Sequence, residues 1–233
     1  MISILFYVFS AILLTEVSFF AWKHTLPGLK QMIWWFPLTM VLFQLGVFIL
    51  GEFEFYTNLA MPPRLVYAGI LPSFVLLAVF SFSKIGNQLC NYLPLHLPVM
   101  FQSFRILVEL FIYLIYLLGW GPKEATMIGY NYEFYFGITA LIMGYLMWKK
   151  KLSGKILLVW NLIGLIMLGF IVGIFFTASI AWDTFWGKEA PMMSNEMMKM
   201  PALSIATLYM PLAVWMHIFS IRQVCKQKKM KVV

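Results

Sequence analysis

The chain has 233 residues, 62% of them hydrophobic and 11% charged, with a net charge of +8. A soluble domain is nearer half apolar and a quarter charged, so an ordinary water-soluble globule is excluded. The positive balance does not call for nucleic acid, because lysine and arginine in short loops set the orientation of a membrane protein.

The apolar residues come in long runs, and runs of about 20 residues with few charges read as transmembrane helices. Seven are predicted, at 2–22, 31–50, 64–83, 97–119, 133–148, 156–178 and 202–221. The expected fold class is all-α, a single polytopic domain of seven transmembrane helices. The first run lacks a basic start and a small-residue cleavage site, so it reads as a retained helix and not a signal peptide. It carries Glu16, for which two readings stand: a proton carrier, or the partner of Arg105. The third run carries Pro72 about 15 Å in, near the middle of a bilayer core.

In the fourth run, FQSFRILVEL spaces Gln102, Arg105 and Glu109 at three and four residues, on one helical face. Charges in lipid are costly and face the protein interior. Either Arg105 and Glu109 form a neutral pair that locks the bundle, or they form the charged wall of a polar cavity. Segment 129–140, GYNYEFYFGITA, follows and carries Asn131. In the sixth run, Asn161 is expected to hydrogen-bond between helices.

The loop before the seventh run reads APMMSNEMMKMP, with five methionines in nine residues. Thioethers suit Cu(I). The spacing of Met192, Met193, Met197 and Met200 equally suits an apolar helix lying at the interface. Trp182 and Trp186 in the same loop suit interfacial anchors. The seventh run holds Thr207, Pro211 and His217, and it has no lysine for a retinal Schiff base.

With seven helices, one side collects Lys23, Lys30, Lys84, Lys149, Lys150, Lys151, Lys155, Arg222, Lys226, Lys228, Lys229 and Lys231. The loop acids Glu52, Glu54, Glu124, Glu133, Asp183, Glu189 and Glu196 all fall on the other. The expectation is N-outside and C-inside, with a basic cytoplasmic tail at 224–233 resting on anionic lipid. Cys90 and Cys225 fall at the cytoplasmic end and read as reduced, structural thiols. His24, His96 and His217 also fall near that end. They are weak metal candidates, because no H-x-x-x-H or H-E-x-x-H spacing accompanies them. No cofactor motif is present.

The phrase MPPRLVYAGILP at 61–72 returns as MPALSIATLYMP at 200–211. At this offset of 139 residues, Pro62 meets Pro201, Pro72 meets Pro211, and Phe80 meets Phe219. At an offset of 126, Trp22 meets Trp148, Gly28 meets Gly154, and Trp34 meets Trp160. The expected organisation is a 3+1+3 parallel repeat: repeat one at 1–84, a linker helix at 94–120, and repeat two at 130–223. Each central proline then frees the carbonyl four residues earlier, at Ala68 and Thr207.

This order resembles the SWEET and PQ-loop transporters in topology. No Pro-Gln dipeptide occurs in the chain, so a sugar substrate is not implied. A second resemblance covers about 40 residues. Gln102, Phe104, Arg105, Val108 and Glu109, then Gly129, Asn131, Glu133, Gly137, Thr139 and Ala140, are similar to the Q-x-F-R-x-x-V-E … G-x-N-x-(D/E)-x-x-x-G-x-T-A pattern of an uncharacterised family of bacterial seven-helix membrane proteins. It implies a multi-pass protein of the bacterial cytoplasmic (inner) membrane and no particular activity.

The leading expectation is a small-solute carrier with a midplane site. Its candidate residues are Pro72, Pro211, Ala68, Thr207, Gln102, Arg105, Glu109, Glu16, Asn131 and Asn161. The alternatives are a non-enzymatic sensor or assembly protein and an intramembrane metalloenzyme. The partners expected are the lipid bilayer and a small solute, with no nucleic acid.

Overall fold

The computed structural model describes residues 2–230, and side chains for 3–226. Lys231 and the end of the basic tail lie outside the described residues. Among those described, every regular element is helical. In chain order they are α1 (Ile2–His24), α2 (Trp35–Glu52), α3 (Leu71–Phe82), α4 (Lys84–Tyr92), α5 (His96–Phe101), α6 (Arg105–Leu117), α7 (Glu133–Trp148), α8 (Gly154–Ile180), α9 (Trp182–Trp186) and α10 (Met210–Met230). A 3-10 segment, Pro27–Trp34, leads into α2, and another, Gln102–Phe104, joins α5 to α6.

All seven apolar runs fold as helix. Five described segments are long and apolar enough to cross a bilayer: Ser3–His24, Pro27–Glu52, His96–Leu117, Gly154–Ile180 and Ile205–Lys226. A sixth is formed if Val66–Phe82 and Lys84–Tyr92, bent by 66°, count as one broken span. The shorter α7 has 16 residues, about 24 Å of helix against a hydrocarbon core of about 30 Å. This composition is compatible with a polytopic membrane protein. Large apolar side chains such as Leu42, Val79, Ile166 and Phe170 are exposed around the bundle, where lipid would cover them. Trp34, Trp35 and Trp148 are exposed at the lysine-rich end, and Lys149 Nζ stands 4.3 Å from the Trp148 ring. Exposed aromatic rings with lysines beside them suit a membrane interface.

Helix α10 is the centre of the bundle and packs against α3, α5 and α8. The main core gathers around it, with Phe6 of α1 stacked on Phe111 of α6 at 4.2 Å and Tyr209 beside Phe6 and Phe9.

The two central prolines share an unexpected local geometry. Proline has no N–H, and its ring crowds the carbonyl four residues back. A simple kink with a bare carbonyl is the sequence expectation. The chain instead takes a π turn ahead of each proline, at Val66–Ile70 and Ile205–Tyr209. Leu71 N–H bonds to Val66 O and Met210 N–H to Ile205 O, five residues back. The wider turn accommodates the register change that proline imposes. The Thr207 carbonyl accepts from Gln44 Nε2 at 3.1 Å. The two π turns lie side by side, and a Cβ added at Gly69 would stand 3.2 Å from Thr207 Cγ2. Both Met61–Pro62 and Met200–Pro201 are cis peptides.

Candidate functional site

A buried charged cluster lies between α6, α7 and α10. The helical spacing sets Gln102, Arg105 and Glu109 on the inward face of the α5–α6 segment, each at most 3% exposed. The loop that follows is folded so that Asn131 meets them. Gly129 permits this, because a side chain there would strike the Lys123 carbonyl. Asn131 Oδ1 accepts from the Glu133 backbone N–H at 3.0 Å, in a local turn just ahead of α7. Its amide donates to Ala125 O at 3.0 Å and to Glu109 Oε2 at 2.5 Å.

Arg105 does not form a salt bridge with Glu109. Its ion-pair partner is Glu133, in the first turn of α7. Glu133, expected among the loop acids, is instead 2% exposed and held inward by the guanidinium. Glu16 is exposed on α1, so it is not the partner of Arg105.

Arg105 Nη1 donates to His217 Nε2 at 3.0 Å, and the guanidinium lies 4.7 Å from the Phe136 ring centre. Arginine cannot accept, so Nε2 is the acceptor and the imidazole proton sits on Nδ1. Nδ1 donates to Asn161 Oδ1 at 2.9 Å, and Asn161 Nδ2 donates to Leu157 O and Ser220 Oγ. Asn161 thus makes interhelical contacts. Gln102 Nε2 donates to Ala213 O at 3.1 Å. His217 is fully committed here. His24 and His96 are half-buried at the lysine-rich end, and no group of three His, Cys, Asp or Glu with metal-holding geometry occurs among the described residues.

The cluster forms part of the wall of a cavity of about 610 Å³. Val66, Ile70 and Phe74 line one side, Leu168, Val172 and Phe176 of α8 another, and Tyr209, Met210 and Ala213 the floor. Ala68 and Thr207 lie in the two π turns and Pro72 and Pro211 just after them, in α3 and α10; none of the four lines the cavity, which their neighbours line. Arg105, Glu109 and Glu133 are the charged residues of this otherwise apolar lining.

Met193, Met197 and Met198 roof the cavity, and Ser179 Oγ donates to Met193 Sδ at 2.9 Å. The methionine segment is therefore folded into the bundle rather than spread as a surface helix. Lys199 ties this roof to the end of α2 through Glu54 at 3.2 Å. The hydrogen bond to Glu54 raises the Lys199 pKa above its ordinary value. Sequence reasoning misses Gln44 and Tyr209, and sets Glu133 among the loop acids. Gln44 was legible as the sole strongly polar side chain deep in the second run; the other two carried no such signal.

No family model, curated protein or solved structure matches this chain.

Proposed function

We propose that this protein is a small-solute carrier of the bacterial cytoplasmic membrane, with seven crossings, N-outside and C-inside, built as a 3+1+3 parallel repeat. The observation that carries the reading is the cavity of about 610 Å³. It lies beside the paired π turns and ends on buried charge. Small-molecule sites are mostly apolar clefts of roughly 300–1,000 Å³ with a few fixed polar groups. Repeat transporters bind solutes where helices are interrupted near the midplane. The repeat is supported by the π turns, which fall on equivalent residues of the two copies, Val66–Ile70 and Ile205–Tyr209. The resemblance of residues 102–140 to the uncharacterised bacterial seven-helix family agrees with this setting. An assembly protein would need the same buried charges only as internal ties, and would have no use for a cavity of this size.

The test is a thermal-shift screen of the purified full chain against sugars, amino acids, organic acids, nucleosides and amines. A solute present at 100 times its dissociation constant adds about 2.7 kcal/mol to the folded state. Stabilisation by one class is expected, and it should disappear in Ala213→Trp, which fills the cavity floor. No stabilisation by any class would turn the reading toward a sensor or assembly role.

A further inference from the structure

The charges on the cavity wall do not balance. Arg105 is neutralised by Glu133, and its Nη1 is given to His217. Glu109 faces the same cavity and is 3% exposed. It makes no ion pair within 4.0 Å among the described residues, and its one hydrogen-bond donor is the neutral amide of Asn131. A buried carboxylate without a counter-charge must take up either a proton or a cation. Apart from Ser179 and the Tyr209 hydroxyl, the rest of the lining is apolar, with the aromatic rings of Phe74, Phe104, Phe176 and Tyr209 among it. Such rings attract cations as well as apolar surface. A sugar would find few partners here, and an anion would meet Glu109.

We infer that the solute is a hydrophobic organic cation of charge +1, held by Glu109 and exchanged there for a proton. The inference rests on the carrier reading and names its substrate class. The exchange balances: protonated Glu109 plus cation gives the Glu109 carboxylate–cation pair plus one released proton. The titratable groups of its surroundings are Arg105 on its own helix, Glu133 on α7 and Tyr209 of the π turn packed on α6, which line the same cavity, His217 on α10, which bonds to Arg105, and Lys123 and Glu124 in the 3-10 turn packed on α6. Arg105, Glu133 and His217 are tied to one another, and Lys123 is exposed, so none of these supplies Glu109 with a private counter-ion.

Tetraphenylphosphonium and tetraphenylborate share size and shape and differ in charge. Equilibrium dialysis of the detergent-solubilised full chain should show the cation bound at least tenfold more tightly than the anion. Binding of the cation should weaken as the pH falls, because the proton competes for the same carboxylate. Glu109→Gln should lose the preference, and Glu109→Asp should keep it. The inference is overturned if the anion binds as tightly, if the cation is not retained, or if a folded Glu109→Gln keeps the preference. Uptake of tetrapropylammonium into proteoliposomes with an acidic interior separates the two readings. Binding of the phosphonium without uptake defeats the carrier and leaves the cation site standing. A neutral solute carried by a protein that retains no phosphonium defeats the cation site and leaves the carrier.

Discussion

Arg105 on α6 and His217 on α10 are joined by a hydrogen bond of 3.0 Å, and the geometry leaves the imidazole no freedom. Its other nitrogen bonds to Asn161 on α8, so one chain of contacts crosses three helices. Gly164 makes the room. A Cβ there would fall on the His217 ring, whose Nε2 would stand 2.5 Å away. Gly164→Ala is therefore expected to push the ring off both partners and lower stability by about 1–3 kcal/mol, the usual cost of overpacking. Gly173→Ala, on the same helix with nothing within 4 Å, is the control. It should leave the melting temperature unchanged or raise it by the helix-propensity gain of up to about 1 kcal/mol. Equal behaviour of the two variants in a detergent melt would contradict the packing described.

The Arg105–Glu133 pair makes a second prediction. Removing one member of a buried pair strands the other, at a cost of about 3–5 kcal/mol, whereas replacing both by apolar groups is often nearly neutral. Arg105→Met should destabilise strongly, and Arg105→Met with Glu133→Leu should recover most of the loss. Arg105→Lys should not rescue, because an ammonium cannot serve Glu133 and His217 through one planar fork. A double-mutant cycle on thermal unfolding measures the coupling, and additive losses would show that the two side chains act independently.

Much of this arrangement is legible in the chain. The apolar runs mark the helices, and the spacing of Gln102, Arg105 and Glu109 marks the inward face of α6. What periodicity cannot give is which side chain meets which across elements. Glu133 stands at the junction of a loop and a helix, where an acid is equally suited to solvent and to the helix N-terminus. Only the approach of α6 decides between them. Pro72 and Pro211 announce a disturbance in the third and seventh apolar runs, but a π turn and a kink share the same sequence cause. The methionine cluster is ambiguous for another reason: a flexible thioether packs as readily into an irregular roof as onto an interface.

The contact between the π turns is testable through Gly69. A Cβ there would lie 3.2 Å from Thr207 Cγ2 and 2.9 Å from Leu65 Cδ1. The leucine terminus can rotate away, while Thr207 is held by Oγ1 bonds to Leu203 O at 2.8 Å and Gln44 Oε1 at 3.2 Å. Gly69→Ala should therefore lower the melting temperature. Thr207→Ser removes the obstructing methyl and keeps the hydroxyl, so it should restore the double variant to near wild type. Failure of the rescue would mean that the two turns do not bear on each other.

The proposed orientation is tested by the native thiols. Cys225 is exposed beside Arg222 and Lys226 at the lysine-rich end, while Cys90 is 4% exposed. If lysine-rich loops stay in the cytoplasm, an impermeant maleimide should miss Cys225 in intact spheroplasts and label it in inverted vesicles. In a Cys90→Ala, Cys225→Ser background, Lys188→Cys sits on the exposed loop after α9 and should show the reverse pattern. The two sites need each other, because silence at Cys225 alone would also follow from lipid shielding, whereas opposite labelling of the two ends follows only from the orientation. Labelling of Cys225 from outside would invert the molecule, and would place the methionine roof and the Glu54–Lys199 tie on the cytoplasmic side of the membrane.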